Sequence, residues 1–395
     1  MKIGFIGNMN NNHFSMVRYL HDLGLDAELL LLDNELKHFH PSADSFDLDY
    51  RRYTTELNWG HRNRFRFVSP EQIRSDLDRF DFLIGTGLAA AHCSKAGRRL
   101  DIFKVYGGDL LFETRYRLSR QHVHNLPVSW HQRRGLRQAT YLDVGKQNPK
   151  YESTVSKYTT PEKRLYMPLP MVYAPAYSTE ALLKDKDQNQ WSGAFDEIRD
   201  SCDFMAISHS RHYWRCPKDH VAYKGTDRLL QGWKQFVQQE HGTRCRLVLM
   251  EYGKDVRETV ELVEELGIED SIAWLPMMER KEIMYGLSVA DVSLGTFSNL
   301  SWLMGGVYFE ALVAGIPLVT YREDELYASS HEHLYPIEKA LLPDEIQQAL
   351  STLLNDPEHA RDLARKGQSW YSECVVKPKL DEYQRCISEA DNAHR

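Results

Sequence analysis

Segments with the pattern of a buried β-strand alternate with helical segments throughout the second half of the sequence. Short loops join them, and glycines stand where helices should end, as at Gly267 and Gly315. Strands joined in this way run parallel, with right-handed crossovers. The predicted strands are 203–207, 246–250, 271–275, 291–294 and 317–321, and the predicted helices are 226–240, 256–266, 279–288 and 305–314. This part of the chain is therefore predicted to be a Rossmann-like α/β domain.

The first half of the sequence has a similar organisation. Lys2–Gly7 is an apolar strand that ends in a glycine, a helix is predicted over Ser15–Leu23, and further strands are predicted at 27–32, 82–85 and 102–106. A chain of 395 residues exceeds what one core usually supports, and the proline-rich stretch Pro168–Pro175 reads as a linker. We predict an N-terminal Rossmann-like domain over 1–172, a C-terminal Rossmann-like domain over 173–372, and a C-terminal helix over 373–395 that packs back on the N-terminal domain.

Charge is distributed unevenly between the two halves. Residues 1–175 carry 25 Lys and Arg against 19 Asp and Glu, whereas the remainder carries 24 against 37. Arginines crowd with aromatic residues into 51–66 and 115–137. A basic face of this kind attracts anionic lipid, a diphosphate-linked acceptor or nucleic acid, unless nearby acids balance it as an ordinary solvated surface.

Composition also bears on the compartment. The longest strongly apolar run, 27–32, is far shorter than the ~20 residues that cross a bilayer, and the first residues lead directly into a strand. Six cysteines lack a C-x-x-C pair, which argues against a disulfide framework or a zinc ribbon. We therefore expect a cytoplasmic protein whose basic N-terminal domain contacts the inner face of an anionic membrane peripherally.

The stretch from Met304 to Thr320 combines features of an anion site. Gly305 and Gly306 let backbone amides approach a ligand at a helix start, where free N–H groups favour phosphate. Glu310 follows about one turn later on a helix that Gly315 ends, and its carboxylate is suited to gripping a ribose. The alternative is an ordinary helix-to-strand connection with a surface glutamate.

Two cations stand at comparable positions earlier in the same domain. Arg211 follows a predicted strand, and Lys224 and Gly225 directly precede a predicted helix. Arginine binds phosphate oxygens in a bidentate manner, lysine acts as a point charge, and glycine permits close approach, so together they suit a diphosphate. Taken singly, each cation is more often an ordinary surface residue.

The order of these motifs resembles the nucleotide-binding domain of GT-B glycosyltransferases, particularly the retaining family 4, also called group 1. The matching elements are a strand followed by Arg211, the Lys224-Gly-x-Asp motif, Ala290-Asp291-Val before a strand, and the Gly-x4-Glu-Ala-x2-Ala-Gly-x-Pro run that contains Glu310. The resemblance covers nearly the whole chain, although the N-terminal domain matches only in outline. It implies an α/β chain of GT-B fold in which two Rossmann-like doubly wound domains face a central cleft.

The resemblance also implies roles for the residues. Arg211 and Lys224 would hold the diphosphate of a UDP- or GDP-linked sugar and stabilise its leaving charge, with Gly225 close by, and Glu310 would bind the ribose. The amides of Gly305 and Gly306 would face the phosphates or the sugar. The N-terminal domain would bind a glycan, lipid-linked or protein acceptor, and transfer would proceed with retention, without a metal or other cofactor.

Three departures from the family pattern affect the substrate. Trp302 stands where the family commonly has a sugar-binding acid, so it is expected to pack or to recognise the shape of the donor sugar. Thirteen positions separate Arg211 from Lys224, which implies an inserted loop and makes Arg215 a rival for the diphosphate. In the N-terminal domain, Tyr106 replaces a histidine that often contacts the sugar.

Two further residues of the N-terminal domain are candidates for acceptor or sugar contact. Asp109 closes the run Tyr106-Gly-Gly-Asp, and His13 lies in the first β-to-α loop. For His13 the alternative is a surface histidine.

Other functions remain open at this stage. A nucleotide-sugar epimerase or a sugar phosphorylase shares the architecture, and a sugar-binding module whose active site has decayed would explain Trp302 and Tyr106. Binding of nucleic acid through the arginine clusters is the least favoured of these interpretations.

Overall fold

The computed structural model describes residues 1–116, 125–145, 152–299, 305–328 and 332–394. The chain divides into two units: unit 1 comprises Met1–Tyr173 and Val375–Arg395, and unit 2 comprises Ala174–Cys374. Each unit has its own parallel sheet. The prediction of two Rossmann-like α/β domains is therefore confirmed.

Unit 1 is built on a sheet that has seven parallel strands in the described residues, in the order β3-β2-β1-β4-β5-β6-β7. Strands β1 and β4 are apolar and almost wholly buried, as expected for a sheet covered on both faces. The elements are β1 (Lys2–Ile6), α1 (Asn12–Asp22), β2 (Asp26–Leu31), β3 (Thr54–Glu56), α2 (Pro70–Leu77), β4 (Phe82–Thr86), α3 (Ala89–Lys95), β5 (Ile102–Lys104), α4 (Gly108–Leu111), α5 (Leu126–Gln138), β6 (Tyr141–Asp143), α6 (Glu152–Val155) and β7 (Arg164–Leu165).

Unit 2 has a sheet of six parallel strands in its described residues, in the order β10-β9-β8-β11-β12-β13. Gly267 and Gly315 end helices α10 and α12 in the left-handed conformation, as their positions in the sequence predict. The elements are α7 (Thr179–Asp185), α8 (Ser192–Asp200), β8 (Phe204–Ser208), α9 (Thr226–Gln239), β9 (Cys245–Glu251), α10 (Val256–Leu266), β10 (Ile272–Pro276), α11 (Arg280–Val289), β11 (Val292–Leu294), α12 (Gly306–Ala314), β12 (Leu318–Thr320), α13 (Asp324–Ala328), β13 (Glu338–Lys339), α14 (Pro343–Asn355) and α15 (Pro357–Trp370).

The last helix, α16 (Lys377–His394), is part of unit 1. Its Lys379 is fully buried and donates to Asp143 at the end of β6 over 3.0 Å and to Glu382 over 2.7 Å. Tyr383 donates to the same Asp143 oxygen over 2.8 Å, and Lys104 from β5 donates to the other oxygen over 3.0 Å. This buried network fastens α16 to the carboxyl ends of two strands.

None of the helices in the described residues is long and apolar enough to cross a membrane. All six cysteines are free thiols.

We predict that Lys379→Met destabilises the protein by about 3–5 kcal/mol, because the substitution leaves a buried carboxylate without one of its cations. Burial alone would raise the pKa of Asp143, but Lys104 and Lys379 outweigh it and lower the pKa to about 2. Urea denaturation measures the loss. The control is Arg385→Met on the same helix, which removes an exposed i,i+4 pair with Glu389 and should cost at most ~0.5 kcal/mol. Equal urea midpoints for the two variants would contradict the prediction.

Candidate functional site

The strand order of unit 2 reverses between β8 and β11, and the predicted donor residues gather around that point. Ligands of parallel α/β sheets bind beyond the carboxyl ends of the strands at such a switch. His209 and Arg211 follow β8 directly, and the segment after β11 leads to α12, which carries Glu310. Lys224 belongs to the same region, because its carbonyl accepts from the Phe297 amide, beyond β11, over 2.9 Å.

Glu310 is a buried carboxylate with a partner on each oxygen. Arg280 donates from Nε to Oε1 over 2.7 Å, and His209 donates from Nε2 to Oε2 over 2.9 Å. Burial would raise the pKa of Glu310, but Arg280 and His209 outweigh it and lower the pKa to about 2. The interpretation of Glu310 as a surface glutamate is therefore wrong: the side chain is an ionised, buried group at the switch point.

Arg280 is a site residue that the sequence analysis missed. It is the first residue of α11, and a capping box between Glu279 and Glu282 fixes this helix start. The available signal was its place at the start of a predicted helix, shortly after the predicted strand 271–275. Nothing in the sequence paired it with Glu310, which lies 30 positions further along the chain.

Arg211 and Lys224 form no ion pair with a carboxylate anywhere in the described part of the chain. Burial and the neighbouring charge of Arg211 lower the pKa of Lys224 below its usual value. Two cations that lie close together without an acid between them repel each other. This arrangement is suited to a ligand with dense negative charge.

The residues between Arg211 and Lys224 form an ordered loop that is anchored on the start of α10. Asp255 accepts from the backbone amides of Trp214 and Arg215 over 2.7 and 2.8 Å, and the Trp214 indole donates to Thr259 over 2.9 Å. Arg215 is exposed, with its guanidinium 5.7 Å from the Trp214 ring centroid. Arg211 is exposed as well, and its charge contributes to the lowered pKa of Lys224. Binding of the diphosphate by Arg211 or by Arg215 stays a prediction.

The glycines of the site differ in what they are needed for. Gly225 has φ +74°, and an added Cβ would lie 2.3 Å from the Phe297 carbonyl oxygen, so this glycine is required by packing as well as by backbone conformation. Gly305 has an extended φ of −165° and caps α12 without a side-chain bond. An added Cβ on Gly306 would lie 3.6 Å from Oε1 of Glu310, which places the helix start beside that carboxylate.

Two predicted contact residues of unit 1 lie in segments that follow strands β1 and β5. His13 is fully buried in α1 and donates from Nδ1 to the Gly7 carbonyl over 2.7 Å, and burial lowers its pKa to about 4. The alternative of a surface histidine is wrong. Tyr106 accepts from the side-chain amide of Asn12 over 2.6 Å, which joins the segment after β5 to the start of α1. Contact of either residue with an acceptor or sugar stays a prediction.

Asp109 has a structural task within its own turn. Its carboxylate accepts from the backbone amides of Tyr106, Gly107 and Leu110, with its shortest contacts at 2.9 Å. Burial is the main cause that raises its pKa to about 6, against the opposing effect of these amides. Gly107 has φ +106°, so the Tyr-Gly-Gly-Asp run is a constrained turn. Contact of Asp109 with an acceptor or sugar stays a prediction, as does the role of Trp302, which lies outside the described residues.

Residues 218–370 match the family model described as glycosyl transferases group 1. The match covers most of unit 2. The match contains Lys224, Gly225, Arg280 and Glu310, whereas Arg211 lies before its first residue. The prediction of a glycosyltransferase is confirmed.

Solved structures with the same fold cover nearly the whole of this chain. Anabaena HepE in complex with UDP-glucose is 15% identical with a TM-score of 0.61, and the alignment covers 98% of this chain and 100% of that one. Sucrose-phosphate synthase from Thermosynechococcus elongatus is 13% identical with a TM-score of 0.60, covering 99% and 100%. UDP-GlcNAc 2-epimerase from Methanocaldococcus jannaschii is 13% identical with a TM-score of 0.52, covering 93% and 98%.

At these identities the likeness shows the fold alone, and it supports the GT-B assignment made from the motifs. A comparison with curated protein sequences gives no match. The assignment to glycosyltransferases therefore rests on the group 1 domain.

We predict that Gly225→Ala costs about 2 kcal/mol or more, since alanine at φ +74° is strained and its Cβ collides with the Phe297 carbonyl. The control is Gly193→Ala near the start of α8, where an added Cβ meets nothing within 4 Å, and which should change stability by at most ~1 kcal/mol. Thermal unfolding compares the two variants. A Gly225→Ala protein as stable as the control would show that the loop after β11 shifts freely.

Proposed function

We propose that this glycosyltransferase transfers a sugar from a UDP-linked donor to a glycan, lipid-linked or protein acceptor, with retention and without a metal. One observation carries the proposal: the switch point of unit 2 combines two cations without acidic partners, Arg211 and Lys224, with the ionised Glu310 and the start of α12. A nucleoside diphosphate needs these groups together.

The diphosphate would lie against the cations and the first turn of α12. Arg211 and Lys224 supply charge-assisted hydrogen bonds, and the backbone amides at Gly305 and Gly306 add the positive end of the helix dipole. Burial and the charge of Arg211 both lower the pKa of Lys224, and a bound anion would oppose both effects. The repulsion in the free protein therefore favours occupancy by phosphate.

Glu310 would accept hydrogen bonds from the ribose hydroxyls. Each carboxylate oxygen has two lone-pair directions, so the contacts with Arg280 and His209 leave acceptor capacity for a ligand. Arg280 also balances the negative charge of Glu310, which would otherwise repel a diphosphate bound nearby. Arg280 is thus a positioning residue that makes a carboxylate compatible with an anionic donor.

The chemical step requires stabilisation of the leaving diphosphate. The bond between the sugar C1 and the phosphate oxygen breaks, a bond from the acceptor oxygen to C1 forms on the same face, and the acceptor proton passes to the leaving phosphate. Preorganised cations such as Arg211 and Lys224 stabilise the charge that develops on that phosphate. We propose that they do so in place of a divalent cation.

UDP is the proposed nucleotide because Anabaena HepE, which shares the fold, has been solved with UDP and with UDP-glucose. We assign acceptor binding to unit 1, where His13 lies in the first turn of α1, and Tyr106 and Asp109 lie in the turn between β5 and α4 and in the first turn of α4. We further propose that the protein is cytoplasmic, that unit 1 contacts the inner face of an anionic membrane peripherally, and that nucleic acid is not a partner.

We predict that Lys224→Ala and Arg211→Ala each weaken UDP binding by about 1–3 kcal/mol, because each removes a charged partner of the diphosphate. Titration calorimetry with UDP measures this, and GDP tests the choice of base. Arg215→Ala is the matched control and should bind UDP like the parent. Glu310→Gln should weaken binding of UDP without weakening binding of pyrophosphate, since pyrophosphate has no ribose to lose its contact with Glu310. Loss of affinity in Arg215→Ala with retention in Arg211→Ala would reverse the assignment of the two arginines.

We predict slow, metal-independent hydrolysis of the donor in the absence of acceptor. Proton NMR with a panel of UDP-sugars should show release of a free sugar that first appears as the anomer present in the donor, at a rate that EDTA does not change. Release of the opposite anomer would contradict retention, and loss of activity in EDTA would contradict metal independence. An epimerised UDP-sugar would identify an epimerase, and no turnover with donor or acceptor would identify a binding module.

A further inference from the structure

The outer face of α5 in unit 1 combines an exposed aromatic residue with cations. Trp130 is 47% exposed, Arg134 and Arg137 are exposed on the same helical face, and the Arg134 guanidinium lies 5.5 Å from the Trp130 ring centroid. No acid occurs in Leu126–Gln138. The buried side of the helix is fixed by Gly135, where an added Cβ would lie 2.1 Å from the Ala90 carbonyl oxygen of α3.

A second aromatic and basic segment flanks this face on one side. Ser129 donates to the Arg115 carbonyl over 3.1 Å, and the Arg133 guanidinium lies 4.8 Å from the Tyr116 ring centroid. Tyr116 is 45% exposed, and Phe112 is 50% exposed. The segment Phe112–Tyr116 therefore continues the surface.

The loop before α2 flanks the other side of the helix. The Phe65 ring lies 5.5 Å from the ring of His131, and Lys95 at the end of α3 donates to the carbonyls of Phe65 and Val68 over 2.5 and 2.6 Å. Between these anchors, Phe67 is 87% exposed. The backbone on both sides of Phe67 is thus held by hydrogen bonds, while the Phe67 side chain is exposed to solvent.

The arginines of this surface lack acidic partners. Arg115, Arg134 and Arg137 form no ion pair with a carboxylate among the residues that the structure describes. In contrast, Arg62 and Arg64 pair with Glu113 and Asp33 over 2.8 and 3.1 Å. We name the set of exposed residues the aromatic–arginine surface; it comprises Phe67, Phe112, Arg115, Tyr116, Trp130, Arg134 and Arg137.

We propose that the aromatic–arginine surface docks unit 1 on an anionic lipid bilayer. Aromatic side chains are favoured at the headgroup level, and unpaired arginines are attracted to anionic lipid. Single-stranded nucleic acid also combines stacking with cations, so it is the competing occupant that the experiment must distinguish from lipid. The exposed side chain of Phe67, on a loop whose backbone is held in place, is suited to insertion among the lipid headgroups.

The aromatic–arginine surface is the place on unit 1 where the membrane contact of the proposed function would occur, whatever the identity of the donor. Its test therefore measures binding to lipid, whereas donor hydrolysis in solution tests the proposed reaction. A protein that does not bind vesicles would contradict the membrane proposal alone, and a protein that does not hydrolyse any donor would contradict the proposed reaction alone.

The experiment is co-sedimentation with vesicles of phosphatidylcholine alone and of phosphatidylcholine mixed with phosphatidylglycerol. The parent protein should bind the mixed vesicles, and less so as salt increases. Arg134→Gln with Arg137→Gln should lower the partition coefficient about 25-fold, at about fivefold for each charge removed. Phe67→Ser with Trp130→Ser should also lower it, and this loss should persist in high salt.

The matched control is Arg51→Gln with Arg52→Gln, which removes two exposed arginines of unit 1 outside this surface. It should bind the mixed vesicles like the parent. Since all these side chains are exposed, each variant should keep the parent's melting temperature and donor hydrolysis. The proposal is overturned if the parent protein does not bind the mixed vesicles, or if the control loses as much binding as the surface variants. It is also overturned if the surface variants lose binding to single-stranded RNA but still bind the vesicles.

Discussion

The contact of Glu310 with Arg280 and His209 is the interaction on which the proposed donor site depends. Its three residues come from the loop after β8, the first turn of α11 and the middle of α12. A buried carboxylate is costly unless it is paired and hydrogen-bonded, so these three segments are stable together and not separately. The interaction that shapes the switch point thus also keeps a carboxylate ionised there.

The regular part of the fold could be predicted because its signals are local. Apolar strands and helix-ending glycines, such as Gly267 and Gly315, act within a few residues of the chain, and α10 begins and ends where the sequence predicts. Strands of two or three residues, such as β7 and β13, carry too few side chains for a period to be recognised. They exist because a neighbouring strand pairs with them.

The candidate site was predictable only where a residue type indicates a ligand by itself. Arg211 and Lys224 stood after a predicted strand and before a predicted helix, which is where parallel sheets bind anions, and Glu310 followed a glycine-rich helix start by about one turn. Arg280 carried no such signal, because its role comes from a partner 30 positions away. Asp109 carries two signals at once, since a carboxylate after two glycines indicates a ligand site and also suits a turn in which it accepts from the backbone amides.

The distribution of arginines links stability to function in both units. Arg62, Arg64 and Arg280 have acidic partners, so their charges contribute to the folded state or position another side chain. Arg211 with Lys224, and Arg134 with Arg137, have no acidic partner in the described residues, and such clusters of like charge repel. The chain has net charge −7, so the lack of acidic partners at these clusters does not come from a shortage of acidic residues. The two clusters therefore keep their mutual repulsion in the free protein, and a bound anion would relieve it. An anion that binds only the folded state also stabilises that state by mass action.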